Sequence, residues 1–144
     1  EFDCRQAQNL LTLMGKLEME IAQLDEKNAA FFMQEYSLSE PGLTRVIRGA
    51  HDMLGLRSFF TVSAEEVRAW PLGAGASACQ AAGVIHSDMQ AGYIRAEVMA
   101  FADLHQLGSE AEVKSAGKWR LEGKDYVVQD GDILQVRFSP PARK

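Results

Sequence analysis

Arginines and aromatics recur at alternate positions in the second half of the chain. Arg68 and Trp70 stand two apart, as do Tyr93, Arg95 and Glu97, and again Gln135 and Arg137. Side chains two apart on an extended strand point to the same face, so each set is expected to project together. If the opposite face of the sheet packs on a helix, this one presents guanidinium groups beside an indole. Such a surface can pair with phosphate and stack on unpaired bases. The alternative is a half-solvated sheet face on which arginine stems cover apolar surface. A second basic set, Lys114, Lys118, Arg120 and Lys124, could also contact phosphate, although Glu110, Glu112 and Glu122 are interleaved with it as on an ordinary solvated face.

The residues that usually do covalent or acid–base chemistry do not assemble. His86 and Asp88 lie two apart; on a helix, such residues point away from one another and cannot share a substrate, so His86 is expected to pack or cap at a helix end. His51 and His105 stand without a partner in sequence. Cys79 falls at the start of a predicted helix, where a thiol pKa can fall, but no base accompanies it. Asp130-Gly131-Asp132 lacks the further oxygens and final Glu of a calcium loop and predicts a tight turn. There is no CxxC, no HExxH and no Cys/His cluster, so no metal site is expected. Cys4 and Cys79 make no disulfide framework.

Several elements must position these groups. A short apolar run, Leu10–Met14, ends at Gly15. Leu17, Ile21 and Leu24 then follow helical spacing, which predicts a helix over 17–35. After the breaker Ser39-Glu40-Pro41-Gly42, with Ser39 as the expected N-cap, Leu43, Val46, Ile47, Ala50 and Leu54 repeat at helical spacing. Arg45 and Arg48 fall on the solvent side of that helix, and Gly55 ends it. From Leu56 the period changes to that of strands: a hairpin over 56–63 and 67–72, a helix over 77–89 capped by Ser77, and an alternating strand over 93–101. Short helical turns over 103–116 precede strand-like 118–121 and 126–128 and a last strand, 133–138. This order, β-β-α-β, a small helix, then β-β, is that of an α+β, ubiquitin-like β-grasp fold preceded by a two-helix segment. The expected organisation is a helical lead-in over 1–55, the β-grasp domain over 56–139 and a flexible tail over 140–144.

Composition bounds the function. The chain has 144 residues and a formal net charge of −5, against the usual basic balance of a general nucleic-acid coat. The charge is uneven: residues 1–55 carry 5 Lys/Arg against 9 Asp/Glu, and residues 56–144 carry 10 against 11. A near-neutral second part can still hold a local basic face. No apolar run has bilayer-spanning length and no signal peptide is visible, so a cytoplasmic chain with no membrane association is expected.

Several stretches go beyond a fold pattern. Glu66-Val67-Arg68-Ala69-Trp70, Gln80-Ala81-Ala82-Gly83-Val84-Ile85-His86-Ser87-Asp88, Gly92-Tyr93-Ile94-Arg95-Ala96-Glu97-Val98 and Ala116-Gly117-Lys118-Trp119-Arg120-Leu121-Glu122-Gly123-Lys124-Asp125-Tyr126, followed by Gln129-Asp130-Gly131-Asp132, resemble the C-terminal part of the YchF, or Obg-like ATPase, family. There this part is the TGS domain. Upstream, Leu17–Ala22 and Glu40–Arg48 look like the family's last G-domain helix and the linker helix into TGS. The slot of the family's fifth nucleotide-contacting loop holds Met14-Gly15-Lys16, which departs from the usual Ser/Cys-Ala/Gly-x and leaves Gly15 as a residual nucleotide-loop candidate. Cys79 stands where relatives often have Pro.

The resemblance implies the end of a translation-associated protein that binds ATP or GTP with Mg²⁺, hydrolyses it and contacts the ribosome. The P-loop pattern GxxxxGK[ST], which would grip the phosphates, does not occur in the sequence, so this chain is expected to lack hydrolysis and to need no cofactor. It is read as a binding module contacting ribosome or RNA through Arg68, Trp70, Tyr93, Arg95, Lys118, Arg120, Lys124 and Arg137. The alternatives are a module that regulates its own G domain and a sensor of small ligands or nucleotides.

Overall fold

A computed structural model of the chain describes residues 10–63 and 65–140. Cys4 and the end of the tail expected over 140–144 lie outside the described residues. The chain divides into two compact units, Glu1–Leu54 and Gly55–Lys144.

Among its described residues the first unit has three helices where two were expected. The predicted 17–35 helix is two: α1 over Gly15–Ile21 and α2 over Glu26–Glu35. Asp25 divides them. Its carboxylate accepts the Asn28 backbone N–H at 3.1 Å and the Asn28 side-chain amide at 2.6 Å, an N-cap that outcompetes continuation of the preceding helix. The third helix, α3 over Gly42–Met53, begins after Pro41 and not at Ser39. Gly42 is buried, and a β-carbon there would run into the Glu18 carboxylate. Arg45 also leaves the solvent side assigned to it: its guanidinium pairs with Glu18 and donates to the Thr12 carbonyl at 3.1 Å. Burial alone would raise the Glu18 carboxyl, but hydrogen bonds from Arg45 and the Met14 amide hold it below the usual carboxylate range. Ile21 is the only described large apolar residue of this unit that is buried, while Leu43 is 73% and Ile47 53% exposed.

The second unit is built on a five-stranded mixed sheet. Its strands are β1 (Leu56–Val62), β2 (Val67–Gly73), β3 (Tyr93–Ala100), β4 (Arg120–Glu122) and β5 (Asp132–Phe138), in the order β2-β1-β5-β3-β4. β1 and β5 run parallel and the other neighbours antiparallel. This is the α+β β-grasp arrangement. One face packs on α4 (Ala78–Ile85), whose inward residues Ala78, Ala81 and Ala82 are fully buried. Their small side chains let the helix approach Phe59, Leu72, Val98 and Leu134 closely. Ser77 and Gln80 form a reciprocal capping box that starts α4.

The helix expected over 77–89 breaks at His86, and α5 (Ser87–Ala91) follows. His86 is extended, and its Nδ1 accepts the Asp88 N–H at 3.1 Å. It is a cap, as expected for a helix-end histidine. The strand expected over 126–128 is reduced to one bridge, Val127 to Ser77, and Val128 donates to the Ala76 carbonyl at 3.1 Å. This segment pairs with the entry to α4 and stays out of the sheet, because Val128 is needed in the core beneath it.

The other face of the sheet is not wholly free. Two helices, α6 (Phe101–Leu107) and α7 (Glu110–Ser115), lie over Met99 and Ile133, burying Val113 and covering Phe60, Leu104, Leu107 and Trp119 in part. The sheet therefore carries a core on each side, a large one under α4 and a smaller one under α6 and α7.

Candidate functional site

Register decides which arginines share a face. Across β3 and β5, Arg95 lies directly opposite Arg137, and Glu97 opposite Gln135. In the same ladder Met99 pairs with Ile133, which places this group on the face of the smaller core, beyond the cover of α6 and α7. Both arginines are exposed. Arg137 donates from Nη2 to Glu97 at 3.1 Å and from Nε at 3.2 Å, whereas Arg95 makes no ion pair with a described residue. Like charges directly opposite one another repel, and Glu97 answers only Arg137, while Glu110 lines the same small cavity as Glu97 and Gln135.

Four of the predicted site residues, Arg68, Trp70, Tyr93 and Arg120, lie on the opposite side. Trp70 is registered against Phe59 and stacks on it at 6.5 Å and 17°, against the core beneath α4. Its indole Nε1 donates to Thr61 Oγ1 at 3.0 Å. Arg68 follows it, with the guanidinium carbon 4.3 Å from the indole centre. The alternation along β2 is ambiguous, since Val67, Ala69 and Pro71 are as apolar as Trp70 and Leu72. Leu72, 4% exposed, settles the direction. Arg68 and Trp70 are therefore a cation–π buttress of the hairpin and do not sit beside Arg95.

Tyr93 is displaced by a bulge. The register of β3 shifts between Tyr93 and Arg95, so Tyr93 pairs with Phe138 and turns toward the α4 core, with Ile94 as the extra residue. A strict period of two placed Tyr93 with Arg95; one inserted residue reverses it. Burial pushes the Tyr93 phenol up to about 12, with Cys79 and Glu122 adding to the shift.

The second basic set is mostly engaged within the fold. Lys118 pairs with Asp103 at 2.6 Å, and Lys114 sits 3.9 Å above the Trp119 ring. Arg120, opposite Val98 in the ladder, points to the α4 side and donates to the Tyr126 hydroxyl at 3.0 Å. That hydroxyl donates in turn to Asp132 Oδ2 at 2.7 Å, and the Gln129 amide donates to the same oxygen at 2.8 Å. Asp132 is 2% exposed, so these groups are a structural network closing the β5 turn. Lys124 contributes its carbonyl to the Cys79 amide at 3.3 Å, which anchors the start of α4. Cys79 Sγ lies 3.8 Å from the Gln90 carbonyl with no base beside it.

Asp130-Gly131-Asp132 is a turn as expected. Gly131 has φ +82°, and Asp130 Oδ1 accepts the Ser58 amide at 2.7 Å. Gly15 opens α1, and the nearby Met14 amide is taken by Glu18 at 3.1 Å. The Met14 amide is thereby engaged within the fold and is not free to meet a nucleotide base.

Two contributors escaped the sequence reading. Glu97 was placed on the arginine face but not seen as the partner of Arg137, a diagonal contact that register alone defines. His105, read as solitary, stacks on Phe101 at 5.9 Å and 15°; their i, i+4 spacing was the available signal.

The model of the YchF-GTPase_C family, described as a protein of unknown function (DUF933), matches residues 56–139. The chain belongs to this family. Among curated YchF-type relatives it is 46% identical over 139 residues to the ribosome-binding ATPase YchF of Haemophilus influenzae, covering 96% of the chain and 38% of that protein. It is 39% identical over 132 residues to Obg-like ATPase 1 of Gallus gallus, covering 92% of the chain and 33% of that protein. The solved structure of the Schizosaccharomyces pombe YchF GTPase superposes with a TM-score of 0.72 at 31% identity, over 82% of the chain and 31% of that structure. The chain thus spans little more than a third of the YchF relatives it matches. No helix among its described residues is long and apolar enough to cross a membrane.

Proposed function

We propose that the β-grasp unit is the non-catalytic TGS binding module of a translation-associated, cytoplasmic YchF-type NTPase, and that it contacts the ribosome through the sheet face bearing Arg95 and Arg137. The supporting observation is the direct apposition of these two exposed arginines, of which only Arg137 has an ion-pair partner, Glu97, among the described residues. An anionic partner would relieve their repulsion and supply the missing counter-charge. That the Haemophilus influenzae relative is ribosome-binding by name makes the ribosome the natural partner. ATP or GTP with Mg²⁺, and the hydrolysis itself, would belong to other parts of the whole protein. Co-sedimentation with ribosomes at low and moderate salt tests the reading. The double reversal R95E/R137E should abolish a salt-sensitive interaction, and ribosome binding unchanged by that reversal would overturn it.

A different observation favours a second reading. The helical unit leaves Leu43, Ile47, Phe31 and Met19 more than half exposed, and a cleft of about 450 Å³ runs along it, lined by residues that include Leu13, Met33 and Val46. An apolar surface of this kind marks a contact with further protein, and the protein's own G domain would be the partner in a regulatory role. Binding of the chain to an isolated G domain, with no affinity for ribosomes, would favour this reading over the first.

A further inference from the structure

We infer that the outer edge of β2 is a docking strand for a partner protein, which adds an extended segment to the sheet there. The segment carries an acidic residue flanked by β-branched ones. β1 separates this edge from β5, and its use does not depend on the ribosome contact.

β2 ends the sheet on one side and pairs with β1. The Ser63 amide donates to the Glu66 carbonyl at 2.9 Å and the Ala74 amide to the Gly55 carbonyl at 2.7 Å, both continuing the β1–β2 register. Bonds in an antiparallel pair fall at alternate residues, so Arg68, Trp70 and Leu72 bond inward to β1. The amides and carbonyls of Val67 and Ala69, and the carbonyl of Pro71, therefore point outward, and none meets another described residue. Pro71, which has no amide to lose, occupies an outward position, where an edge strand tolerates proline. The opposite edge, β4, is 3 residues long and carries the Arg120–Glu122 pair at 3.4 Å, features that blunt an edge against pairing. β2 runs for 7 residues, and Arg68 is its one charge.

The side chains on the two sides of the edge define what fits. On one side Val67, 71% exposed, joins Ala69 and Pro71 in an apolar strip left open beside α6 and α7 and backed by Val62. On the other, the Arg68 guanidinium lies 4.3 Å over the Trp70 ring and makes no ion pair with a described residue. In an added strand, the residues opposite Val67 and Ala69 extend the apolar strip, and the residue between them faces Arg68. Main-chain bonds then give affinity and the alternate side chains give selectivity. A second copy of the chain fits less well. The antiparallel self-pairing that uses every outward amide of Val67 and Ala69 places Arg68 directly opposite its own counterpart, and like charges there repel.

The test is fluorescence anisotropy of the chain with a labelled synthetic peptide of alternating valine and glutamate, beside amide hydrogen exchange followed by NMR. The peptide should bind and, at saturation, slow exchange of the Val67 and Ala69 amides roughly tenfold or more. N-methylation of its valine amides preserves side chains and charge but removes the ladder, and should weaken binding roughly tenfold or more. R68E should weaken it about three- to thirty-fold. A69P removes one outward amide and none of the bonds to β1, and should weaken it about two- to ten-fold; circular dichroism checks that both variants are folded. R95E/R137E should bind the peptide as the parent chain does. Equal affinity of the methylated and unmethylated peptides, unchanged exchange at Val67 and Ala69, or no binding at about millimolar peptide would overturn the inference. Loss of peptide binding in R95E/R137E would put the peptide on the arginine face, and a concentration-dependent dimer that A69P abolishes would give the edge to a second copy; either result refutes it. Ribosome co-sedimentation reads the other surface, and A69P should retain it.

Discussion

Replacing Asp132 by alanine tests the internal logic of the β-grasp unit most directly. The carboxylate is 2% exposed, and one of its oxygens accepts both the Tyr126 hydroxyl and the Gln129 amide, while the other lies 3.5 Å from Arg120. D132A leaves two donors without an acceptor, each costing about 1–3 kcal/mol when buried, and strips the guanidinium of a counter-charge. Because Arg120 is 43% exposed, water reclaims part of that last loss. The expected destabilisation is about 3–5 kcal/mol, of the order seen when one member of a buried polar network is removed and a large share of a domain's stability. D132N keeps one oxygen for both donors but turns an amide toward Arg120, and should cost about 1.5–3 kcal/mol, the worth of a charge-assisted hydrogen bond. Urea unfolding followed by tryptophan fluorescence is the assay, since Trp70 and Trp119 both lie in the second unit and report on it alone. The m-value should be unchanged. A D132A cost below about 1 kcal/mol, or D132N as damaging as D132A, would refute the claim that this network holds the β5 turn.

Three further outcomes are expected. Burial raises the Tyr93 and Tyr126 phenols, the former to about 12; a raised folded-state pKa gives stability that is complete below the ordinary tyrosine value of about 10 and is lost as pH rises through the folded value. Alkaline unfolding of the second unit should therefore set in between about 10 and 12 and be shallower in Y93F, as read by phenolate absorbance and tryptophan fluorescence. The Glu18 carboxyl is held low by Arg45 and the Met14 amide despite its burial, so the first unit should lose helix as pH falls through its depressed pKa. Far-ultraviolet circular dichroism should show that loss in the parent chain and a flatter profile in E18Q; identical profiles would count against the ion pair. Reversal of Arg95 and Arg137 should abolish ribosome co-sedimentation, whereas reversal of Arg68, which lies over Trp70 on the α4 side, should leave it intact.

The fold was legible because its signals are local. Ser77 and Gln80 announce a capped helix, Asp130-Gly131-Asp132 a turn, and the change from helical to alternate spacing at Leu56 a sheet; each depends on residues within a few positions of one another. Asp25 shows the limit: its capping potential was present in sequence, but the apolar spacing on both sides outweighed it. The α4 helix fails in the same way at His86, whose ring nitrogen begins a new helix where the pattern implied continuation.

What the residues determined alone was the set of elements, their order and the family to which they point, because propensity, capping and turn chemistry act over short distances. Which side chains meet was decided only in three dimensions. One extra residue at Ile94 turns Tyr93 into the core and leaves Arg95 outside; the burial of Leu72 commits Trp70 and Arg68 to the α4 side; and β3 must find β5 before Arg95 can face Arg137. A strand has two faces, and alternation says which residues travel together, but the face they take is set by packing against partners distant in the chain.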